Sequence, residues 1–81
     1  AIEWADKNIR VNTISPGYIG TELTLNSPDL IPLIDTWNKM APLHRMGDPD
    51  ELQSIAVYLA GDTSSFTTGA DFIIDGAFTC F

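Results

Sequence analysis

Apolar spacing changes period several times along this chain. Ala1, Ile2, Trp4 and Ala5 fall on one face at helical spacing, and Asn8 can end the turn, so "AIEWADKN" reads as the last two turns of a helix. In "IRVNTIS", Ile9, Val11, Thr13 and Ser15 alternate with Arg10, Asn12 and Ile14. This β-branched run predicts a strand over Ile9–Ser15. Pro16 is expected to stop it, because Pro lacks the N–H that a central strand donates. Gly17 is expected to follow in a backbone conformation that a Cβ forbids. Residues 18–28 read as loop. Pro32 then places a helix: with Asp29 as N-cap it falls in the first turn, whereas Ser27 as cap would put it in the helix interior. Leu33, Ile34, Trp37 and Met40 run down one face, and Pro42 ends the pattern.

"GDPDEL" is the clearest local signal. Asp48 is an N-cap, Pro49 sits at the first helical position and Glu51 sits three residues after the cap, a capping box at the positive end of the helix dipole. Leu52, Ile55, Ala56 and Leu59 follow at helical spacing, and Gly61 marks the stop. "DTSSFTTG" is turn-prone, and "ADFIIDG" predicts a second strand centred on Phe72–Ile74. Strand, helical crossover and strand make a βαβ unit, so the strands should be parallel and the crossover right-handed. Two parallel strands do not make a self-sufficient sheet, so further strands are expected beside them.

Composition sharpens this picture. The 81 residues suffice for one small domain at most, and a chain of this size buries only about 60% of its unfolded surface. Apolar residues at 44% and charged residues at 19% suit a globular chain. Four basic against eleven acidic residues give a net charge of −7, which disfavours nucleic acid as a partner. No basic amphipathic face or bilayer-length apolar run points to a membrane. The one cysteine, Cys80, fits a reducing compartment, and the cytoplasm is the expected location. The chain starts at Ala1 without Met, with no signal-peptide pattern and no N-cap before its first helical residues. The expectation is a piece of a longer chain.

Little here looks like catalytic machinery. His44 is the single His, with no Cys or paired carboxylate at ligand spacing, so no metal site is expected. His44-Arg45 reads as a solvated loop pair that could touch substrate. Thr63, Ser64 and Ser65 have no base placed to serve them, and turn chemistry explains them. Asp48, Asp50 and Glu51 have capping roles.

"IRVNTISPGYIGTEL", "RMGDPDEL" and "SSFTTGADFIIDG", in that order, resemble the C-terminal part of a short-chain dehydrogenase/reductase, over essentially the whole chain. The resemblance implies an α/β fold: the last two strands, with crossover helices, of a Rossmann-type doubly wound parallel sheet. Residues 1–81 would be the C-terminal portion of a single NAD(P)-binding domain, with Ile9–Ser15 as its sixth strand and Phe72–Asp75 as its seventh. Pro16, Gly17, Tyr18, Ile19 and Thr21 are then the expected cofactor-binding residues. Main chain around Ile19 and the Thr21 hydroxyl would hold the nicotinamide carboxamide, which needs both a donor and an acceptor. Glu22–Met46 would be the substrate loop and helix, with Leu23, Leu25 and Trp37 as lid residues against the bland alternative of packing onto the domain body. Catalytic residues, a Tyr and a Lys, would lie upstream of Ala1; Asn12 is not the family's catalytic Asn. Many members show Asp-Gly-Gly where this chain has Asp75-Gly76-Ala77.

The expected activity is hydride transfer between NADP (or NAD) and a carbonyl/alcohol substrate, a small molecule of the sugar-alcohol or ketose class. The wording of "PGYIGTEL" and "FTTGADFIIDGAFTCF" resembles fungal sugar-alcohol dehydrogenases and sugar reductases. A homo-tetramer is expected, with the last strand and the tail Phe78–Phe81 at one interface. The 81 residues alone are expected to be inactive and to fold weakly. The alternative is a non-catalytic, truncated oligomerisation module of the same fold. A Tyr-x-x-x-Lys and a glycine-rich turn in the upstream reading frame would separate the two.

Overall fold

A computed structural model describes residues 1–80; Phe81, part of the expected tail interface, lies outside the described residues. The first stretch is a 3-10 helix, Ile2–Lys7, closed by Asn8 at φ 60°, a left-handed position that Asn tolerates. Two four-residue strands follow far apart in sequence, β1 (Thr13–Pro16) and β2 (Asp71–Ile74). They pair in parallel, Thr13 beside Asp71 and Pro16 beside Ile74, as the crossover pattern requires.

The first strand begins later than its alternation predicts. Ile9–Asn12 lie opposite the polar turn before β2, and their bonds to it and to the end of the helix that precedes it are those of a clamp. The Arg10 guanidinium donates to the Leu59 carbonyl at 2.8 Å and to the Thr67 carbonyl at 3.2 Å. Asn12 donates to the Thr67 carbonyl at 2.9 Å and accepts the Ala70 N–H at 3.0 Å. These side-chain bonds flank one main-chain bond, from the Gly69 N–H to the Val11 carbonyl at 2.8 Å, and they account for Asn12 without catalysis.

Pro16 belongs to the ladder instead of stopping it. The N–H groups of Thr13 and Gly17 both point at β2, reaching Ala70 and Ile74 carbonyls at 2.9 and 3.0 Å. Alternation therefore turns the N position of residue 16 away from β2, where its missing hydrogen costs this pairing nothing.

Between the strands run three α-helices. Residues 18–28, expected as loop, contain the five-residue α1 (Glu22–Asn26), capped by the Thr21 hydroxyl, which accepts the Thr24 N–H at 3.3 Å. The next helix, α2 (Ile31–Met40), keeps Pro32 in its first turn, but its cap is Leu30 rather than Asp29. The Ser27 carbonyl accepts the N–H groups of Leu30 and Ile31, both at 3.1 Å, so a main-chain turn satisfies donors that a side-chain cap would otherwise take. A 3-10 turn, Pro49–Leu52, leads into α3 (Gln53–Ala60), which ends at Gly61.

The described residues enclose almost no core: only Ala41 and Ser64 are buried. The Ser64 hydroxyl lies 2.9 Å from the Gly61 carbonyl and 3.2 Å from that of Leu59, a structural role closing α3. The chain is elongated, 48 × 28 × 20 Å, with a radius of gyration of 15.7 Å where a compact chain of this length has about 12 Å. Its accessible surface is 6161 Å², against roughly 4,800 Å² for a compact protein of this mass. Ile2, Leu23, Val57 and Phe66 stand open to solvent.

Candidate functional site

At the carboxyl end of β1 several elements converge. Gly17 is needed there for closeness, not for an unusual φ: it is not among the residues with positive φ. A Cβ on it would sit 2.7 Å from Asp75 Cβ and 2.9 Å from Asp75 Cα. The strand ends therefore touch through bare backbone, and the expectation of a special conformation gives way to a steric reason.

Tyr18 and Ile19 then leave the sheet and meet residue 47 in a single parallel bridge. Gly47 donates to the Tyr18 carbonyl at 2.9 Å and accepts the Gly20 N–H at 2.8 Å. In such a bridge the central residue's own groups face the other way. The Ile19 carbonyl accepts the Thr21 N–H at 2.9 Å, and its N–H takes no partner among the described residues. One main-chain donor is thus held out from the turn on a fixed frame.

The Thr21 hydroxyl lies beside that donor in sequence. It accepts the Thr24 N–H and lies 3.1 Å from the Thr24 hydroxyl. When Thr24 donates, Thr21 keeps its own proton for an outside acceptor. A carboxamide has one acceptor oxygen and one donor nitrogen, and a free N–H with a free O–H suits that oxygen.

Tyr18 ties the turn to α2. Its ring stacks on Trp37 with centroids 4.2 Å apart and planes at 9°, and the Phe78 ring meets it edge-on at 5.5 Å. Of the expected lid residues, Trp37 is thus joined to the turn. Leu23 is 83% exposed and points at nothing described, and Leu25 lies over Gly20. A cavity of about 110 Å³ lies behind the stack, bordered by Tyr18, Ile19, Trp37, Gly47 and Phe78. An open groove of about 480 Å³ runs past Pro16, Gly17 and Ile73 on the sheet side.

Three charged groups border the site, and pattern reasoning did not place them in it. Arg45, expected as half of a solvated pair with His44, donates to both oxygens of Glu51 at 2.7 and 3.0 Å. Glu51 also takes the Asp48 N–H at 2.9 Å, so the expected box is present with a second duty added. The hydrogen bond from Arg45, then that from Asp48, holds the Glu51 carboxyl down at about 2. The separation of six residues is no helical or strand period, so spacing gave no signal for the pair. Asp75 was missed too: its carboxylate accepts from the Thr79 hydroxyl at 2.6 Å and from the Ala77 N–H at 2.9 Å, which lowers its pKa. That turn holds Ala77 at φ 70°, so the methyl that replaces the second glycine sits in a strained left-handed position.

Among the described residues no group of three or more His, Cys, Asp and Glu could hold a metal ion, and no helix is long and apolar enough to cross a membrane.

The family model described as enoyl-(acyl carrier protein) reductase matches residues 1–79. The chain is 42% identical over 79 residues to a galactitol 2-dehydrogenase (L-tagatose-forming) of Cereibacter sphaeroides, covering 98% of this chain and 31% of that protein. It is 49% identical over 81 residues to an NADP-dependent mannitol dehydrogenase of Hypocrea jecorina, covering 98% and 29%. Among solved structures, a short-chain type dehydrogenase/reductase from Mycobacterium marinum superposes with a TM-score of 0.90 at 47% identity, over 100% of this chain and 31% of that one. The chain therefore spans less than a third of the length of each of these three relatives.

Proposed function

The chain belongs to the short-chain dehydrogenase/reductase family, and from that premise we propose that it forms the nicotinamide-side portion of an NAD(P)-dependent oxidoreductase acting on a polyol or ketose. The observation that carries this reading is the Ile19 amide. The Tyr18 carbonyl before it and the Gly20 N–H after it are both bonded to Gly47, and its own N–H takes no partner among the described residues. Such an arrangement presents a donor without the freedom to collapse onto its own chain.

The two donors present fit the carboxamide oxygen of a nicotinamide. Ile19 N–H and Thr21 O–H would hold the carboxamide, and Gly17 lets the two strand ends approach closely enough to form the floor. The nicotinamide, when bound, supplies or takes up the hydride. The contribution of this chain is to orient that ring and to exclude water from one side. Trp37, stacked on Tyr18, brings α2 across the turn, and Leu25, lying over Gly20, extends the same apolar cover. Tyr and Lys residues outside this segment would handle the proton, so the 81 residues alone are inactive on this reading.

NADP and a sugar-alcohol substrate are supported by the two polyol dehydrogenases reported above, one of them NADP-dependent. A cytoplasmic homo-tetramer follows from the same family reading. The open outer edge of β2, with Ile73 56% exposed, offers an apolar surface for it.

The experiment is to express the complete open reading frame that contains this chain and follow NADPH absorbance with ketoses, and NADP or NAD reduction with mannitol, galactitol and arabinitol. Turnover on at least one polyol/ketose pair is expected. A soluble, folded protein that binds nicotinamide cofactor but turns over none of these, while reducing a non-sugar carbonyl, would overturn the substrate class.

A further inference from the structure

We propose that Arg45 and Glu51, acting through Gly47, are positioning residues for the nicotinamide end of the cofactor, an inference that rests on the cofactor reading above. Gly47 supplies both bonds that hold the turn around Ile19: it donates to Tyr18 and accepts from Gly20. The direction of the Ile19 amide is therefore set by where Gly47 stands.

Gly47 is in turn held from both sides by one ion pair. On the preceding side, Arg45 donates to the Met46 carbonyl at 3.1 Å. On the following side, Glu51 accepts the Asp48 N–H at 2.9 Å. Arg45 and Glu51 close the ring through two parallel bonds of 2.7 and 3.0 Å, the bidentate geometry in which a guanidinium fork matches a carboxylate. Met46 and Asp48 are the chain neighbours of Gly47, so the pair brackets the residue that aims the donor. The Ile19 side chain packs over Gly47: a Cβ there would fall 2.7 Å from Ile19 Cδ1, the movable end of that side chain.

Both charged side chains are about half exposed, 54% for Arg45 and 45% for Glu51. An exposed pair adds little to global stability. What this one adds is direction, over three residues of backbone that end at the site. Removing it should loosen the aim of one amide while the domain stays folded.

The test uses the complete protein and direct binding. Arg45→Gln, Glu51→Gln and the double variant are titrated with NADPH or NADH, whichever the wild type binds more tightly. The same proteins are titrated with the matching fragment that lacks nicotinamide, 2′-phospho-ADP-ribose or ADP-ribose. Each single variant is expected to weaken dinucleotide binding about three- to fivefold. The double variant should be no weaker than the singles, because both remove one device. Fragment binding should stay at the wild-type value. Equal weakening of dinucleotide and fragment would mean a general structural effect and overturn the inference, as would unchanged dinucleotide binding. A wild-type protein that binds neither nucleotide overturns the cofactor reading itself, and this inference with it.

Discussion

Residues 45–52 and residues 22–40 both close on the Pro16–Gly17 turn, yet different forces hold them. The first segment is fastened by directional bonds: a bidentate ion pair, a capping bond and two main-chain bonds through Gly47. The second rests on the turn through ring contact, the Tyr18–Trp37 stack. Directional bonds fix atoms to fractions of an ångström. A stack fixes a plane but permits sliding and lifting at modest cost. The first kind suits aiming a backbone donor, and the second suits a cover that opens.

The largest effect should come from removing the ground on which both segments stand. Gly17→Ala drives a methyl into Asp75 Cα and Cβ, which are backbone or backbone-linked and cannot swing aside. A loss of about 3 kcal/mol is expected, read by chemical denaturation of the complete protein. A loss below about 1 kcal/mol would show that the strand ends have room to part.

Trp37→Ala should separate the two segments. The stack is worth about 1 kcal/mol beyond its buried area, so the cover should open roughly fivefold more often. Limited proteolysis should cut faster within residues 22–40 and no faster within 45–52. Equal acceleration in both would mean that the segments move as one body. Trp37→Phe should restore most of the protection.

The smallest effect is electrostatic and confined to the bonded segment. Glu51 titrates at about 2 in place of its ordinary 4.5. A folded value below the unfolded one means that the stabilisation is fully present above about 4.5 and is lost as pH falls through about 2. Side-chain NMR titration of Glu51 should show the low midpoint, and Arg45→Gln should move it upward. A midpoint near 4.5 in the wild type would show that the ion pair does not persist in solution. The Tyr18–Trp37 stack should not change over the same range.

Legibility in the sequence followed the range of the interactions. Asn8 as a helix stop, the Asp48–Glu51 box, Pro32 in a first turn and Gly61 as a stop were all readable, because each rests on neighbours within four residues. The two strands were readable by composition, and their parallel pairing by the helical crossover between them. Less readable were the late start of β1 and the Leu30 cap. Each depends on a turn whose main chain takes bonds that side-chain patterns assign elsewhere. The five-residue α1 was missed because its helix is too short to show a period and is started by one hydroxyl, Thr21.

The Pro-Gly turn, the two strands and the charged cap follow from the order of residues alone, since backbone sterics and local hydrogen bonding act over a few positions. Three facts needed the folded chain: Gly17 pressed against Asp75, Gly47 bracing the groups on either side of Ile19, and Trp37 lying on Tyr18. These partners are 58, 28 and 19 positions apart in the chain. No local preference encodes such meetings; they exist because a parallel crossover brings the ends of two strands and the intervening segments to one edge.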